Sequence, residues 1–380
     1  MNVNKKIMFV VGETSADLHT SAVLEKLKIL DKEIEFIGTG GDRMIAVGMR
    51  TLYHIKDLAI LGFSEVIKHI PFIQKVKKNL IKAIYKENID TIVLVDYPEF
   101  NLSLASKIRN KVKNIIFFIS PQIWAWRKNR IKRMKKLIDK MIVVFPFEKE
   151  IYQQEKIDVE YVGHPLSERI NQHNFVPKNI LFEKFSLDDK KEILLLMPGS
   201  RLQEVKRILP EVVGAAEKLA NKYNFQIVVA GSQNISDENY FTFFGNKNFH
   251  LIRNYNYELL RYAKFGIIKS GTSTVEAAFS ELPFVVVYST SSLTHFIGKK
   301  FIKINYIAMP NIIAGKKIVE ELIQKDVNKE NIFKVCDHIL GDNKKLNIMK
   351  NNLRQVKENL DSNNCSAKTA EIIYSFVNGK

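Results

Sequence analysis

A loop of small residues, Ser270-Gly271-Thr272, follows the short apolar segment 265–268 and precedes a helical pattern. A strand that turns into a helix in this way leaves free main-chain N–H groups beside the positive end of the helix dipole, which favours phosphate. Glu276 follows about one helical turn later, where its carboxylate can accept hydrogen bonds from both hydroxyls of a ribose. We therefore predict a nucleotide site formed by Ser270, Gly271, Thr272, Ser273 and Glu276. The alternative is an ordinary turn with an N-capping residue.

A second loop with phosphate-binding chemistry runs from Met197 to Arg201, after the apolar segment 193–196. Gly199 lets the main chain approach a phosphate, and Arg201 adds a guanidinium that can donate two hydrogen bonds. In the alternative interpretation, Glu204 holds Arg201 in an ion pair on the surface of the next helix. The sequence leaves both interpretations open.

Two acids lie in the loop Gly12-Glu-Thr-Ser-Ala-Asp17, which follows the apolar segment 7–11. Glu13 and Asp17 would repel a phosphate, so this loop suits the hydroxyls of a sugar, or an amine, better. Ser15 lies between the two acids. The alternative is that Ser15 and Asp17 cap the helix that follows.

Asp96 comes directly after the very apolar segment Thr91–Val95, at the start of Asp96-Tyr-Pro-Glu-Phe-Asn101. A carboxylate at the end of a buried strand lies in a partly dry environment, which raises its pKa towards the working pH. This is what a general base requires. The alternative is a capping role for this acidic cluster, with Asn101 as one cap of the next helix.

Both tryptophans of the chain, Trp124 and Trp126, lie in Ser120-Pro-Gln-Ile-Trp-Ala-Trp-Arg127. Aromatic faces bind sugar rings or acyl chains, and Arg127 can meet a phosphate. The basic run 127–136 that follows is also compatible with a nucleic-acid helix or with a solvated helix face.

Strand and helix patterns alternate along the 380 residues, which exceed the usual size of a single core. This alternation predicts an α/β fold with parallel, doubly wound sheets. We expect a first domain over residues 1–170, a second over residues 171–350 and a C-terminal helical segment over residues 351–380. Ligands bind at the carboxyl ends of the strands in such sheets, where the loops described above lie.

The formal net charge of +17, from 58 basic and 41 acidic residues, attracts nucleic acid or an anionic membrane surface, unless it reflects a compositional bias. Two cysteines match no metal or disulfide pattern. No segment is long and apolar enough to span a membrane, so we expect a cytoplasmic protein. Residues 63–76 have an apolar stripe flanked by lysines, which indicates a core-facing helix or a membrane surface, and Pro71 is expected to break or bend the helix.

Together these motifs closely resemble the lipid-A-disaccharide synthase family, which are inverting glycosyltransferases with the GT-B fold. The resemblance covers nearly the whole chain, with one departure at Ala16, where the family usually has glycine. It is carried by Gly12-Glu-Thr-Ser-Ala-Asp17, Leu61-Gly-Phe-Ser-Glu-Val66, Asp96-Tyr-Pro-Glu-Phe-Asn101, Ser120-Pro-Gln-Ile-Trp-Ala-Trp-Arg127, Pro146-Phe-Glu148, Gly163-His-Pro165, Pro198-Gly-Ser-Arg201, Ser270-Gly-Thr272 with Glu276, and Pro310-Asn-Ile-Ile-Ala-Gly315.

The resemblance implies two Rossmann-like domains facing across a cleft, the first for the acceptor and the second for a UDP-sugar. UDP-2,3-diacylglucosamine would donate its sugar to 2,3-diacylglucosamine 1-phosphate, giving a β-1,6 disaccharide 1-phosphate and UDP, with no metal or other cofactor. Asp96 is then the base, and Arg201 with the loop of Ser270 holds the diphosphate. By family position Asn311 and Glu321 line the donor site. The expected acceptor-side residues are Glu13, Ser15, Asp17, Trp124, Trp126 and Arg127.

Both implied substrates are acylated and anionic, which would explain the basic charge and the amphipathic segment together. We expect the protein at the cytoplasmic face of the inner membrane, as a peripheral protein that contacts lipid near Phe63 to Val76. No nucleic-acid partner is expected. A homodimer is compatible with the sequence, which does not fix the oligomeric state.

Two competing functions are considered. A UDP-sugar 2-epimerase shares the fold and a nucleotide site but needs no aromatic groove for acyl chains. A nucleic-acid-binding protein would explain the charge but not the acids that follow the strands.

Overall fold

The computed structural model describes residues 5–58, 63–121, 130–245, 248–291 and 305–379, and gives the main chain alone for residues 63–69. The chain divides into two compact units. The first contains Met1–Glu168 and Leu360–Lys380, and the second contains Arg169–Asn359.

The first unit is built on a seven-stranded parallel sheet in the order β3-β2-β1-β4-β5-β6-β7. Every residue of β4 and β5 is buried, as expected for a parallel sheet that helices cover on both faces. The strands are β1 (Lys6–Val11), β2 (Glu35–Gly40), β3 (Arg50–His54), β4 (Thr91–Val95), β5 (Asn114–Phe118), β6 (Lys140–Val143) and β7 (Val159–Tyr161). The helices are α1 (Thr14–Leu30), α2 (Asp42–Ala46), α3 (Ile55–Leu58), α4 (Phe63–Lys86), α5 (Pro98–Ile108), α6 (Arg130–Leu137), α7 (Pro146–Gln154) and α8 (Pro165–Asn171). The boundary between the two units falls within α8.

The second unit contains a six-stranded parallel sheet in the order β10-β9-β8-β11-β12-β13. Its strands are β8 (Glu192–Met197), β9 (Phe225–Ala230), β10 (His250–Ile252), β11 (Phe265–Lys269), β12 (Phe284–Tyr288) and β13 (Glu320–Ile323). Its helices are α9 (Lys178–Lys184), α10 (Leu202–Tyr223), α11 (Asp237–Phe244), α12 (Asn256–Tyr262), α13 (Thr272–Phe279), α14 (Met309–Ala314), α15 (Lys329–Leu340) and α16 (Asn343–Leu360), with a 3₁₀ turn at Gln324–Asp326. The prediction of two parallel α/β sheets is confirmed.

The last helix, α17 (Cys365–Val377), returns to the first unit and packs against α1. The amide of Asn114, at the start of β5, donates to the carbonyl of Phe376 at 3.0 Å. Residues 351–380 were expected to form one C-terminal helical segment. The structure instead divides this stretch, because α16 belongs to the second unit up to Asn359, whereas α17 buries its apolar face on the first sheet.

Helix α4 continues from Phe63 to Lys86 with Pro71 inside it, so, of the break or bend expected at this proline, the break does not occur. Pro71 is exposed. A missing main-chain hydrogen bond on the solvent side is tolerated because water satisfies the freed carbonyl. Among the helices in the described part of the chain, none combines the length and the apolar character needed to cross a bilayer.

Each sheet has one point at which the strand order reverses direction. In the first unit it lies between β1 and β4, and in the second between β8 and β11. At such switch points the loops that follow neighbouring strands diverge to opposite faces and leave a crevice for a ligand. The four loops that follow these four strands, together with the first two turns of the helices after them, contain ten of the fifteen residues predicted to form the site.

Candidate active site

The loop after β4 places Asp96 at the switch point of the first sheet. Asp96 and Tyr97 both have a φ of +47°, a left-handed conformation that non-glycine residues rarely adopt. The N–H of Asp96 donates to the carbonyl of Phe118 at 3.1 Å, and the buried amide of Asn101 donates to the carbonyl of Asp96 at 2.7 Å. One main-chain hydrogen bond and one from a side-chain amide therefore hold the strained turn in place.

The sequence suggested that Asn101 caps the next helix, but in the structure it does not. It lies inside α5, and its Nδ2 reaches the carbonyls of Val95 and Val10 at 3.3 and 3.4 Å. It joins the ends of β4 and β1, the two strands that flank the switch point.

Gly12 closes the other side of this turn. A Cβ on Gly12 would lie 2.5 Å from Cγ of Tyr97, so only glycine allows the loop after β1 to approach the loop after β4 so closely. The ring of Tyr97 in turn stacks on Phe100, with 5.4 Å between the centroids. The next residue, Glu13, is exposed and is the N-cap residue of α1.

The carboxyl group of Asp96 is half-buried, and its pKa is raised to about 6. Burial is the largest cause, the negative charge of Glu13 adds to it, and the main-chain N–H of Tyr97 opposes both. Burial and a neighbouring acid disfavour the charged form, so the group accepts a proton more readily than an ordinary aspartate. The structure thus brings Glu13 and Asp96 together and gives Asp96 the acid–base character of a general base.

Asp17, by contrast, supports the loop before α2. Only 3% of it is exposed, and its carboxylate accepts main-chain N–H groups from Gly41 at 2.6 Å, Arg43 at 3.3 Å and Met44 at 3.4 Å. These contacts satisfy the N–H groups at the start of α2. Asp17 therefore has a positioning role at the start of α2, and its contact with the acceptor stays a prediction. Ser15 is exposed in the first turn of α1.

Ala16, the departure from the family pattern, is buried in the first turn of α1. A helical position accepts alanine without strain. Glycine is therefore not required at this position.

The loop after β5 begins with a buried polar contact. Ser120 Oγ donates to Oε1 of Glu148, in the first turn of α7, at 2.7 Å. Three predicted acceptor-side residues, Trp124, Trp126 and Arg127, lie outside the described residues.

In the second unit, the loop after β11 has the form that the sequence predicted for a phosphate site. Gly271 has a φ of +154°, which other residues rarely adopt, and α13 begins at Thr272, which is exposed. Ser270 Oγ donates to the carbonyl of Ile307 at 3.0 Å, and Ser273 Oγ donates to the carbonyl of Lys269 at 3.1 Å. These two hydroxyls fix the loop, while the first N–H groups of α13 remain available for an anion.

The contacts of Glu204, after the loop that follows β8, decide between the two interpretations of Arg201. Glu204 does not hold Arg201, because its Oε1 pairs with Lys269 Nζ at 2.9 Å and its Oε2 accepts the N–H of Ser200 at 3.2 Å. Arg201 is exposed and forms no ion pair within the described part of the chain. Its guanidinium is therefore available for a phosphate.

Glu276 lies in the second turn of α13 and is half-buried. Burial raises the pKa of its carboxyl, while the guanidinium of Arg169 lowers it. A desolvated carboxylate gains more from hydroxyl donors than an exposed one does, because water competes less for it. This environment suits the predicted contact with a ribose.

The two remaining donor-site candidates are occupied by main-chain contacts. Asn311 is fully buried; its Oδ1 accepts the N–H groups of Ile318 and Val319, and its Nδ2 donates to the carbonyl of Val319 and to Glu321. Glu321 also accepts the N–H groups of Ile307 and Ala308 at 2.9 to 3.2 Å. Both side chains therefore shape the segment around α14 and position Ile307, which holds Ser270. These contacts give both side chains a structural role, and their direct contact with the donor stays a prediction.

Where side chains are described, no three or more His, Cys, Asp or Glu residues form a group that could hold a metal ion. Sequence reasoning missed one charged residue beside the phosphate loop. Lys269 ends β11 directly before Ser270, and a lysine at the carboxyl end of an otherwise apolar strand was the available signal.

Comparison with known proteins gives the family. The family model described as lipid-A-disaccharide synthetase matches residues 7–373. The lipid-A-disaccharide synthase of Geobacter metallireducens is 32% identical over 380 residues, which cover 99% of this chain and 98% of the relative. The enzymes of the same name from Sulfurihydrogenibium sp. and Coxiella burnetii are 34% and 30% identical over 98% of this chain, covering 98% and 99% of their own lengths.

Solved structures show the same fold at low sequence identity. A UDP-GlcNAc 2-epimerase from Neisseria meningitidis, bound to UDP-GlcNAc, has a TM-score of 0.68 at 13% identity, covering 97% of this chain and all of its own. A UDP-glucosyltransferase from Polygonum tinctorium has a TM-score of 0.63 at 11% identity over the whole of both chains. These similarities concern the fold alone and confirm the predicted GT-B class. The family model and the relatives, each matched over nearly the whole chain, confirm that this chain belongs to the lipid-A-disaccharide synthetase family.

Proposed function

We propose that this protein is an inverting glycosyltransferase that forms the lipid A disaccharide 1-phosphate. The donor is UDP-2,3-diacylglucosamine and the acceptor is 2,3-diacylglucosamine 1-phosphate. The acceptor hydroxyl attacks the anomeric carbon of the donor sugar, a β-1,6 bond forms, and UDP leaves. The observation that carries the proposal is the family match over residues 7–373, because that range contains all four loops at the two switch points.

Asp96 is the proposed general base. As the new bond from oxygen to carbon forms, the proton of the acceptor hydroxyl passes to the Asp96 carboxylate. With a pKa of about 6, Asp96 is mostly ionised at neutral pH and still basic enough to take this proton. Glu13, whose charge helps to raise that pKa, is proposed to contact the acceptor sugar.

The leaving group is proposed to bind at the second switch point. The electron pair of the breaking glycosidic bond moves to the diphosphate of UDP, and the growing negative charge requires cations and N–H donors fixed in advance. The exposed guanidinium of Arg201 and the first N–H groups of α13 supply them. Ser270, Gly271, Thr272 and Ser273 shape this site, and Glu276 accepts the ribose hydroxyls. No step of this scheme requires a metal ion.

We propose that the enzyme works as a peripheral protein at the cytoplasmic face of the inner membrane, with the start of α4 against the lipid. Ile70, in the first part of α4, is 47% exposed, so its apolar side chain is open to a contact with lipid. The predicted contact over residues 63–76 must be shortened, however. Val76 is fully buried in the core, and Lys77, expected among the flanking lysines, is buried and donates to Ser103 Oγ at 2.7 Å.

The test is an assay of the purified protein with both acylated sugars, in which UDP release and the disaccharide are measured together. The proposal requires that UDP appears only when donor and acceptor are both present, and that Asp96→Asn slows its release by about 100-fold or more. Conversion of UDP-GlcNAc without an acceptor would instead support an epimerase. Absence of both activities would contradict the proposal.

A further inference from the structure

Lys269 ends β11 at the second switch point and lies between the two loops proposed to bind the diphosphate. Its Nζ is 2.9 Å from Oε1 of Glu204, and it lies over the ring of Tyr288, 5.8 Å from the centroid. A Cβ on Gly271 would lie 3.7 Å from the same Nζ. The ammonium group is therefore next to the main chain that opens α13.

Glu204 contacts both loops at once. One carboxylate oxygen takes the ammonium of Lys269, and the other accepts the N–H of Ser200. Position 199 has no room for a side chain, because a Cβ on Gly199 would lie 2.5 Å from Oε2 of Glu204. The side chains of Lys269 and Glu204 are 18% and 17% exposed, so the pair is screened by solvent less than a surface pair.

The balance of charge around this pair favours an anion. Burial is the largest cause of the raised pKa of Tyr288, Glu204 adds to it and Arg201 opposes it, so Glu204 and Arg201 both lie near the tyrosine ring over which Lys269 lies. Arg201 has no carboxylate partner in the part of the chain that the structure describes. The one negative charge of Glu204 cannot neutralise both cations, whereas a diphosphate can pair with both and with the N-terminus of α13.

We propose that Lys269 is a second cation for the diphosphate of the UDP leaving group, positioned by Glu204 until the nucleotide binds. This inference rests on the proposed function, since it assumes a nucleoside diphosphate in this site. Lys269 donates to a diphosphate oxygen opposite Arg201 and stabilises the charge that develops there as the glycosidic bond breaks. Glu204 directs the flexible lysine side chain towards the loop of Gly271, and its second oxygen keeps the loop of Ser200 in register.

The experiment compares the binding of UDP and of uridine to wild-type protein and to Lys269→Met by titration calorimetry. Methionine retains the length of the side chain and removes its charge. Loss of a charge-assisted contact predicts UDP binding weaker by about 10- to 100-fold, with uridine binding unchanged. Lys269→Arg should recover most of the loss. The kcat of Lys269→Met should fall, because the contact strengthens in the transition state.

The matched control is Lys222→Met, which removes another ion pair of α10, with Asp337 at 2.6 Å, about 27 Å along the helix from Glu204. It should leave UDP binding unchanged. If Lys269 and Glu204 form only a structural pair, Lys269→Met and Glu204→Gln will both lower the melting temperature and weaken UDP and uridine equally, which overturns the inference. UDP binding that is unchanged in Lys269→Met overturns it as well. Wild-type protein that binds no UDP would instead contradict the proposed function.

Discussion

Replacement of the proposed base, Asp96→Asn, is predicted to lower turnover strongly and to stabilise the protein at the same time. Asparagine removes the charge but keeps the shape of the side chain. It also tolerates the left-handed φ of +47° at this position, which most residues do not. The substitution therefore tests the carboxylate without disturbing the strained turn, which would complicate the interpretation of Asp96→Ala.

The magnitude follows from the raised pKa. A carboxyl whose pKa rises from 3.8 to about 6 has its charged form disfavoured by roughly 3 kcal/mol in the folded state. Because the folded pKa lies above the unfolded one, the protonated acid favours the fold fully below pH 4, and this contribution is lost as the pH rises through about 6. Partial exposure of Asp96 to solvent reduces the effect, so we expect Asp96→Asn to gain about 1–3 kcal/mol at pH 7.5 and about half of that at pH 5.

The assay combines turnover with thermal unfolding across pH. Loss of a general base should lower kcat by roughly 100-fold or more. The gain in stability should raise the melting temperature by about 2–10 °C at pH 7.5, with a smaller difference at pH 5. Near-normal turnover in Asp96→Asn would refute the role of Asp96 as the base. Equal melting temperatures at pH 7.5 would refute the inference that burial and Glu13 raise its pKa.

The other predictions concern neighbouring and supporting residues. Glu13→Gln removes a charge that raises the pKa of Asp96, so the acid limb of the pH profile of kcat/KM should move to a lower pH than its wild-type position near pH 6. If the acid limb stays at the wild-type pH, Glu13 does not act on the base. Glu276→Ala should weaken UDP binding by about 1.5–3 kcal/mol, and unchanged affinity in calorimetry would exclude the ribose contact. Asn311→Ala leaves the N–H groups of Ile318 and Val319 without their acceptor, so urea unfolding should show a free energy of unfolding lower by about 2–5 kcal/mol. A variant of unchanged stability that lost only UDP binding would support Asn311 as a donor contact. Ile70→Ser should lose binding to anionic phospholipid vesicles with an unchanged melting temperature. The control is Val76→Ser, which changes a buried core residue of the same helix and should lower the melting temperature. Vesicle binding that survives Ile70→Ser would contradict a lipid contact at this residue.

The sequence predicted the parallel sheets and the loops at their carboxyl ends because these features depend on local patterns. An apolar strand such as β4 followed by Asp96, or β11 followed by Ser270, marks a strand end and the chemistry placed there. The sequence also predicted that Asp96 would have a raised pKa, since burial alone is the larger cause.

The sequence could not separate acids that bind a ligand from acids that bind the main chain. Asp17 accepts N–H groups from residues 24 to 27 positions away, and Glu321 accepts them from positions 13 and 14 residues earlier. Such partners depend on how strands and loops meet in space. A carboxylate in a loop therefore looks the same in the sequence whether it caps a helix or faces a substrate.

Local patterns also could not predict that the C-terminal helix α17 packs on the first unit. The apolar side of α17 indicates that the helix packs on a core but not on which one. The choice depends on contacts such as the bond between Asn114 and Phe376, which are 262 residues apart.

The most direct test of the proposed reaction is a quantitative assay of purified protein with UDP-2,3-diacylglucosamine and 2,3-diacylglucosamine 1-phosphate, with product identified by mass and anomeric configuration by NMR. We predict one UDP released for each β-1,6-linked disaccharide 1-phosphate formed, with no UDP from the donor alone and release about 100-fold slower or more in Asp96→Asn. An α-linked product would contradict the inverting displacement, and failure of the wild-type protein to form any disaccharide would contradict the proposed function itself.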